Sequence, residues 1–329
     1  MSPLIKLVFN ELLKLSGRKR LLVIALIVSA LVSIFTYAQY ETAKEFEKRF
    51  GNVDWRQALE LRIQGWEDRI NSPRTSIEQQ NELRIRIAQN QYYLDKDINP
   101  STVGAPTFVR ELIENATTLL LPLLVMIIAA DIVSSEYSGG TIKVLLTRPV
   151  RRWRILMSKF ITLILTVSLV LLMFTCIALL ISGAIFGFAG WDAPMLTGFT
   201  LDGNQLDTSA VTMLPTWQFI LMELGLAWVV AMTVATISMM LSVLVRSTAA
   251  GMGIMLAFLI AGLILTGLVE SWEGAKYLFM VNLDLIDYLE DAEPPVAGMT
   301  LGFSLSVLTA WSLAALLISF RVFTKRDVF

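Results

Sequence analysis

Residues 131–159 read DIVSSEYSGGTIKVLLTRPVRRWRILMSK, a charged, glycine-bearing insert between two long apolar stretches. Upstream, LLLPLLVMIIAADIV runs into Ser134-Ser135-Glu136. The Gly139-Gly140 pair then interrupts any helix, because glycine costs about 1 kcal/mol relative to alanine inside one. A short amphipathic run, Thr141 to Thr147, stops at Arg148-Pro149, since proline pushes the residue before it out of helical geometry. Arg151, Arg152 and Arg154 follow, and the apolar stretch resumes. A short helix held between two membrane spans is built to touch something at the membrane surface, either lipid or another protein.

The rest of the composition agrees with a membrane setting. Apolar residues make up 55% of the chain and charged residues 17%, and the mean hydropathy is +0.63. Soluble domains have about 45–50% apolar and about 25% charged residues. The excess falls in blocks of roughly 18–30 residues, the length that a helix needs to cross hydrocarbon about 30 Å thick. The net charge of −1 decides little, because the signs are segregated by loop. The single cysteine, Cys176, sits inside an apolar block, which leaves no disulfide framework and no thiol metal site. The sequence has no histidine, the commonest general base and metal ligand.

The pattern therefore predicts an all-α integral membrane protein with six transmembrane helices. Residues 1–20 read as an interfacial helix, with Leu4, Leu7, Val8, Leu12 and Leu15 at helical spacing and Gly17 as its break. Spans are expected at 21–38, 116–134, 155–187, 217–245, 249–269 and 296–320. Between the first two lies a polar stretch, 39–115, with two heptad-like runs: Leu59, Ile63, Trp66 and Ile70, then Leu83, Ile87 and Leu94. Asn71-Ser72-Pro73 signals a turn between them, and Thr75 and Glu78 form a capping-box pair, so a helical hairpin is expected. Residues 188–216 and 270–295 read as loops, the second with a short interfacial helix at Leu283 to Glu290, and 321–329 as a tail. Lys6, Lys14, Arg18, Lys19, Arg20, the insert, Arg246, Arg321, Lys325 and Arg326 crowd one side. The positive-inside rule makes that side cytoplasmic, with both termini, in the cell membrane. The hairpin is then extracellular.

Glu223 lies a turn or two inside the fourth span, and a charge there is a candidate pathway or cation residue. Asp131 and Glu270 read as interfacial. Gly183-x-x-x-Gly187 and Gly298-x-x-x-Gly302 match the close-packing motif of membrane helices. No phosphate-binding loop, metalloprotease motif or nucleophile elbow is present, so no catalytic residue, no metal and no cofactor is expected in this chain.

Three stretches carry a resemblance. The run Glu136-Tyr137-Ser138-Gly139-Gly140-Thr141 with Leu145-Leu146-Thr147-Arg148-Pro149-Val150-Arg151-Arg152 resembles the permeases of ABC-2 type ABC transporters. So do SMMLSVLVRST, residues 238–248, and the ending Phe323-Thr324-Lys325-Arg326-Asp327. The hairpin between spans one and two resembles the bacitracin-efflux and lantibiotic-immunity branch. The resemblance implies a cytoplasmic coupling helix within residues 135–154, seated in a cleft of a separate ATP-binding subunit. That role would fall to Glu136, Gly140, Thr141, Arg148, Arg151 and Arg152. It also implies two ATPase copies, which bind ATP and magnesium, a second permease, identical or homologous, and export of an amphiphilic compound such as a peptide antibiotic. Membrane lipid is the remaining partner, and nucleic acid is not expected. Two other classes fit parts of the pattern: a stand-alone secondary transporter or channel, and a non-transport ABC subunit that acts mechanically through its hairpin.

Overall fold

The computed structural model describes residues 3–17, 19–50, 54–72, 77–100, 104–141, 150–202, 205–207, 211–266, 272–290, 294–296 and 298–325. The central part of the insert with Arg148, the Thr75 half of the capping box, Glu270 and the end of the tail from Arg326 lie outside these residues. The helices, in order, are α1 (Pro3–Gly17), α2 (Arg20–Phe50), α3 (Trp55–Ile70), α4 (Ile77–Asp95), α5 (Ala105–Thr117), α6 (Leu120–Ala129) and α7 (Asp131–Ser138). After the insert come α8 (Arg152–Phe186), α9 (Thr216–Val245), α10 (Thr248–Thr266) and α11 (Leu301–Lys325). Six of the helical stretches are long and apolar enough to cross a membrane: within α2, α6 with α7, α8, α9, α10 and α11.

The centre of the bundle is α9. Every residue from Val230 to Met239 is buried, and the run includes Ala231, Thr233, Ala235, Thr236 and Ser238. A helix buried all round is an interior helix, and small side chains let neighbouring backbones come close without a hydrophobic drive. α5, α6, α7, α8, α10 and α11 all pack on it. Only 22% of the apolar window is buried in each of α2, α10 and α11, against 67% in α9. Leu22, Leu26 and Ile34 of α2 and Leu313 and Leu317 of α11 accordingly face outward, as lipid-facing residues do.

The second span is broken twice, each time for a visible reason. Pro122 has no N–H to give the Thr118 carbonyl, and its ring crowds that oxygen. The chain accordingly leaves helical geometry at Leu119, where φ is −129° and ψ −53°. At Ala130 the break is filled by Ser242 of α9. Its hydroxyl donates to the Ala130 carbonyl at 2.6 Å and accepts from the Ser134 and Val133 amides at 2.9 and 3.2 Å. An inserted side chain that satisfies freed backbone groups allows a membrane helix to bend.

Several expectations need correction. α2 is 31 residues long, about 46 Å at 1.5 Å per residue, and runs well past the first span's expected end at residue 38. Residues 105–117 form a separate amphipathic helix, not the tail of the hairpin. Phe108, Val109, Leu112, Ile113 and Ala116 of that helix are buried against α8 and α9. The chain is not purely α-helical. Between α8 and α9, β1 (Pro194–Thr197) pairs antiparallel with β4 (Thr212–Pro215), and β2 (Thr200–Asp202) nests inside with β3 (Gln205–Asp207). Gly203-Asn204 stands between β2 and β3 in the sequence, a pair that favours a two-residue hairpin connection.

In place of an interfacial helix at Leu283 to Glu290 there is a 3₁₀ turn, Ile286–Tyr288, and Leu283, Leu285, Ile286 and Leu289 are buried in the protein. Neither glycine motif is a helix–helix contact. A Cβ on Gly183 would strike the Phe188 ring of the same turn, Gly187 ends α8 at φ +81°, and the space around Gly302 is open. Gly104 makes a close approach of another kind. A Cβ there would lie 2.1 Å from the Ala189 carbonyl oxygen, where the Ala105 amide also donates to Gly187 at 2.9 Å.

The expected hairpin is present. Leu59 and Ile63 of α3 and Ile85 of α4 are buried, and the two helices pack together. The Tyr93 hydroxyl of α4 accepts a bond from the Leu196 amide of β1 at 3.0 Å, which seats the hairpin on the β-ribbon.

Candidate functional site

The end of the second span is where two of the stretches that carry the resemblance meet. α7 holds Asp131, Ser134, Glu136 and Tyr137, and the end of α9 holds Ser242 and Arg246. Arg246 ends α9 in the left-handed region at φ +58°, and its guanidinium lies over the Tyr137 ring, 4.7 Å from the centroid. The Ser134 and Thr248 hydroxyls are 2.6 Å apart, and Thr248 also donates to Asp131 Oδ1 at 3.1 Å. Arg20, at the start of α2, pairs with Asp131 Oδ2 at 2.7 Å.

Beside this lies a group of four charges, three of them buried. Lys159 of α8 has no exposed surface. Its ammonium meets Glu136 Oε1 at 2.9 Å, Glu11 Oε2 at 3.0 Å and the Ile132 carbonyl at 2.9 Å. Those three partners use all three ammonium protons. Lys14 of α1 closes the ring, 2.8 Å from Glu11 Oε1 and 3.0 Å from Glu136 Oε1. Burial alone would raise the Glu11 carboxyl. The Lys159 charge and the Lys14 hydrogen bond overcome it and hold the group below the ordinary carboxylate range. With Arg20 and Asp131 added, three cations balance three anions. The network joins α1, α2, α7, α8 and α10 at one end of the bundle.

The predicted coupling residues thus divide. Glu136 points inward and is nearly buried, while Gly140, Thr141 and Arg151 are exposed and Arg152 is half-buried. Gly140 takes φ +66°, which turns the chain at the end of α7. The Thr141 hydroxyl reaches back to the Glu136 carbonyl at 3.5 Å. Arg148 lies outside the described residues. Glu223 belongs elsewhere, near the opposite end of α9, where Arg110 of α5 is its nearest cation at 3.9 Å. Lys159 and Glu11 were not legible as site residues, because their separation of 148 positions leaves no local signal.

Ser242 is the simplest test of this joint. Ser242→Ala leaves two buried amides and a carbonyl without their partner, an expected cost of about 1–3 kcal/mol. Denaturant unfolding of the purified protein measures it, and an unchanged midpoint would remove Ser242 from the argument.

The comparisons with known proteins bear on the whole chain. An uncharacterised Bacillus subtilis (strain 168) protein, YhcI, is 31% identical over 326 residues, 99% of both chains. A second protein of that organism, described as the uncharacterised membrane protein YdbK, is 27% identical over 212 residues, 64% of this chain and 78% of its own. A Stutzerimonas stutzeri protein described as "Probable ABC transporter permease protein NosY" is 41% identical over 80 residues, 22% of this chain and 29% of its own. With six apolar helices, the chain is a multi-pass membrane protein. The model of one protein family matches residues 76–329, and the chain belongs to that family, described as "Protein of unknown function (DUF2705)".

Proposed function

We propose that this protein is the membrane-spanning permease subunit of an ABC-2 type transporter, which exports an amphiphilic compound and is driven by a separate ATP-binding subunit. The observation that carries the reading is the joint at the end of the second span. There a surface turn, Ser138 to Thr141, is exposed while the residues just before it are locked to five helices through Glu136, Ser134 and Asp131. A push on the insert reaches α1, α8 and α9 through buried ion pairs and hydrogen bonds, which do not yield as exposed side chains do. The local identity with the protein described as an ABC transporter permease supports the same reading. The Lys and Arg distribution supports an orientation with the insert and both termini in the cytoplasm and the α3–α4 hairpin outside. Exposed Gly140, Thr141, Arg151 and half-buried Arg152 form the surface offered to the ATPase, and Glu136 positions it from behind. A second permease, identical or homologous, completes the pathway, and ATP and magnesium are held by the two ATPase subunits.

The test is copurification from mildly solubilised membranes, with wild type compared with Arg151→Ala/Arg152→Ala. An ATP-binding protein should come with wild type, and the double variant should lose it or keep it with hydrolysis uncoupled from the permease. Should no ATPase accompany the wild-type protein, the insert is a lipid anchor and the permease reading fails.

A further inference from the structure

At the other end of the bundle one guanidinium stands among three carboxyl groups. Arg110 of α5 bonds directly to Glu290, in the loop before α11, and lies 3.5 Å from Glu114 and 3.9 Å from Glu223. Glu114 is on the same helix, one turn further on, so pairing with it ties α5 to nothing else. Glu290 and Glu223 belong to two other elements, and they are served unequally. Glu290 has the bond. Glu223 of α9 has no exposed side-chain surface, and neither of its oxygens has a hydrogen-bond partner among the described residues. The buried Nε of Arg110 is also without one. Buried polar atoms are almost always bonded. A donor and two acceptors left open on neighbouring side chains mark a contact that is within reach but not made.

Little movement would make it. A charge-assisted N–H to O bond is about 2.7–2.9 Å long, so Arg110 falls only about 1 Å short of Glu223. The guanidinium already rests against α9, 6.0 Å from the centre of the Phe219 ring, one turn before Glu223 on that helix. The same nitrogen, Nη1, makes both approaches, so closing on Glu223 takes it away from Glu290. Glu290 has no other ion pair among the described residues. Its loop is further held by neutral bonds, from Gln89 of α4 to the Glu290 carbonyl at 3.4 Å and from Thr197 of β1 to the Leu289 carbonyl at 2.7 Å. Arg110 and Glu290 both line a cavity of about 520 Å³ between the α3–α4 hairpin, α5 and β1. Their ion pair therefore joins two of its walls.

We propose that Arg110 is the moving part of a clasp: it exchanges Glu290 for Glu223, and the loop before α11 then parts from α5 and widens the cavity. Two separate partners make this a device with two positions, not a gradual slackening. The exchange belongs to this chain and stands whether or not an ATPase drives it. Its link to the far end of the molecule alone rests on the permease reading. The helix that carries Glu223 carries Ser242 about 28 Å away at 1.5 Å per residue, so a shift of α9 at that joint reaches the clasp.

The test is hydrogen exchange of the full chain in lipid nanodiscs, read on residues 283–290 with the buried run 230–239 as internal reference. Glu290→Gln removes the partner in use and should speed exchange of the loop about tenfold, the scale of one hydrogen bond to a charged group. Glu223→Gln keeps the shape but offers no charge, so the second position is lost and the loop should exchange more slowly than in wild type. Glu223→Asp, which withdraws the charge by one methylene, should act in the same direction and serves if Glu223→Gln does not fold. The opposed signs are the signature, because a fixed tether between Arg110 and Glu290 gives only the first effect. Loop exchange unchanged or faster in the Glu223 variants would overturn the clasp. So would loop exchange unaltered in Glu290→Gln, or a change of equal size in residues 230–239, which would be a general loss of stability.

Discussion

Lys159→Ala should cost about 3–5 kcal/mol of stability, the penalty for removing one partner of a buried ion pair. The lysine has no exposed surface and answers two carboxylates and a carbonyl at once. Without it, Glu11 and Glu136 face each other with only Lys14 between them, and Lys14 is 39% exposed at its side chain. The cost is in the orphaned charges and not in the lost pairing, because buried ion pairs replaced as a whole by apolar groups are often neutral. Lys159→Met combined with Glu11→Gln and Glu136→Gln should therefore recover a large part of the loss. Denaturant unfolding of the three proteins in one detergent decides it. A single variant within about 0.5 kcal/mol of wild type, the usual range for harmless surface changes, would mean that the four-charge group adds nothing.

Arg110→Leu should be of similar size, about 3–5 kcal/mol at pH 8, for the same reason at the opposite end. Arg110 is the nearest cation to Glu114, Glu223 and Glu290. Here pH discriminates. Glu114 already holds its proton below about pH 8, so fewer charges are orphaned in acid. The loss should shrink on going from pH 8 to pH 5. Unfolding curves at the two pH values read this directly, and a loss that grows in acid would contradict the placement of the carboxylates.

The six spans were legible because each is an apolar block of the length that hydrocarbon demands. Glu223 stood out for the matching reason, as a charge inside such a block. Its surroundings did not. Arg110, Glu111 and Glu114 were counted as part of the hairpin, although Phe108, Val109, Leu112, Ile113 and Ala116 recur at the spacing of an amphipathic helix. Recognising α5 would have put those charges on a helix packed against α8 and α9. The ribbon of β1 to β4 escaped because strands of three and four residues carry too little alternation to register. Lys159 looked like one more basic residue of the insert, and nothing local says that a cation is buried. Burial follows from packing against α1 and α7, which only the tertiary structure supplies.

The four-charge group also sets a timetable for synthesis. Glu11 is made before the lysine that it will hold, which follows 148 residues later. At about 5–20 residues per second that interval is about 7–30 s. During it Glu11 has one ready partner, Lys14, three positions away on the same helix. α1 can thus enter the membrane surface with its acid already neutralised, and wait. Only when α7 and α8 emerge can the two-charge pair open into four and draw the first helix under the bundle. α1 is thus made well before the elements that lock it in place.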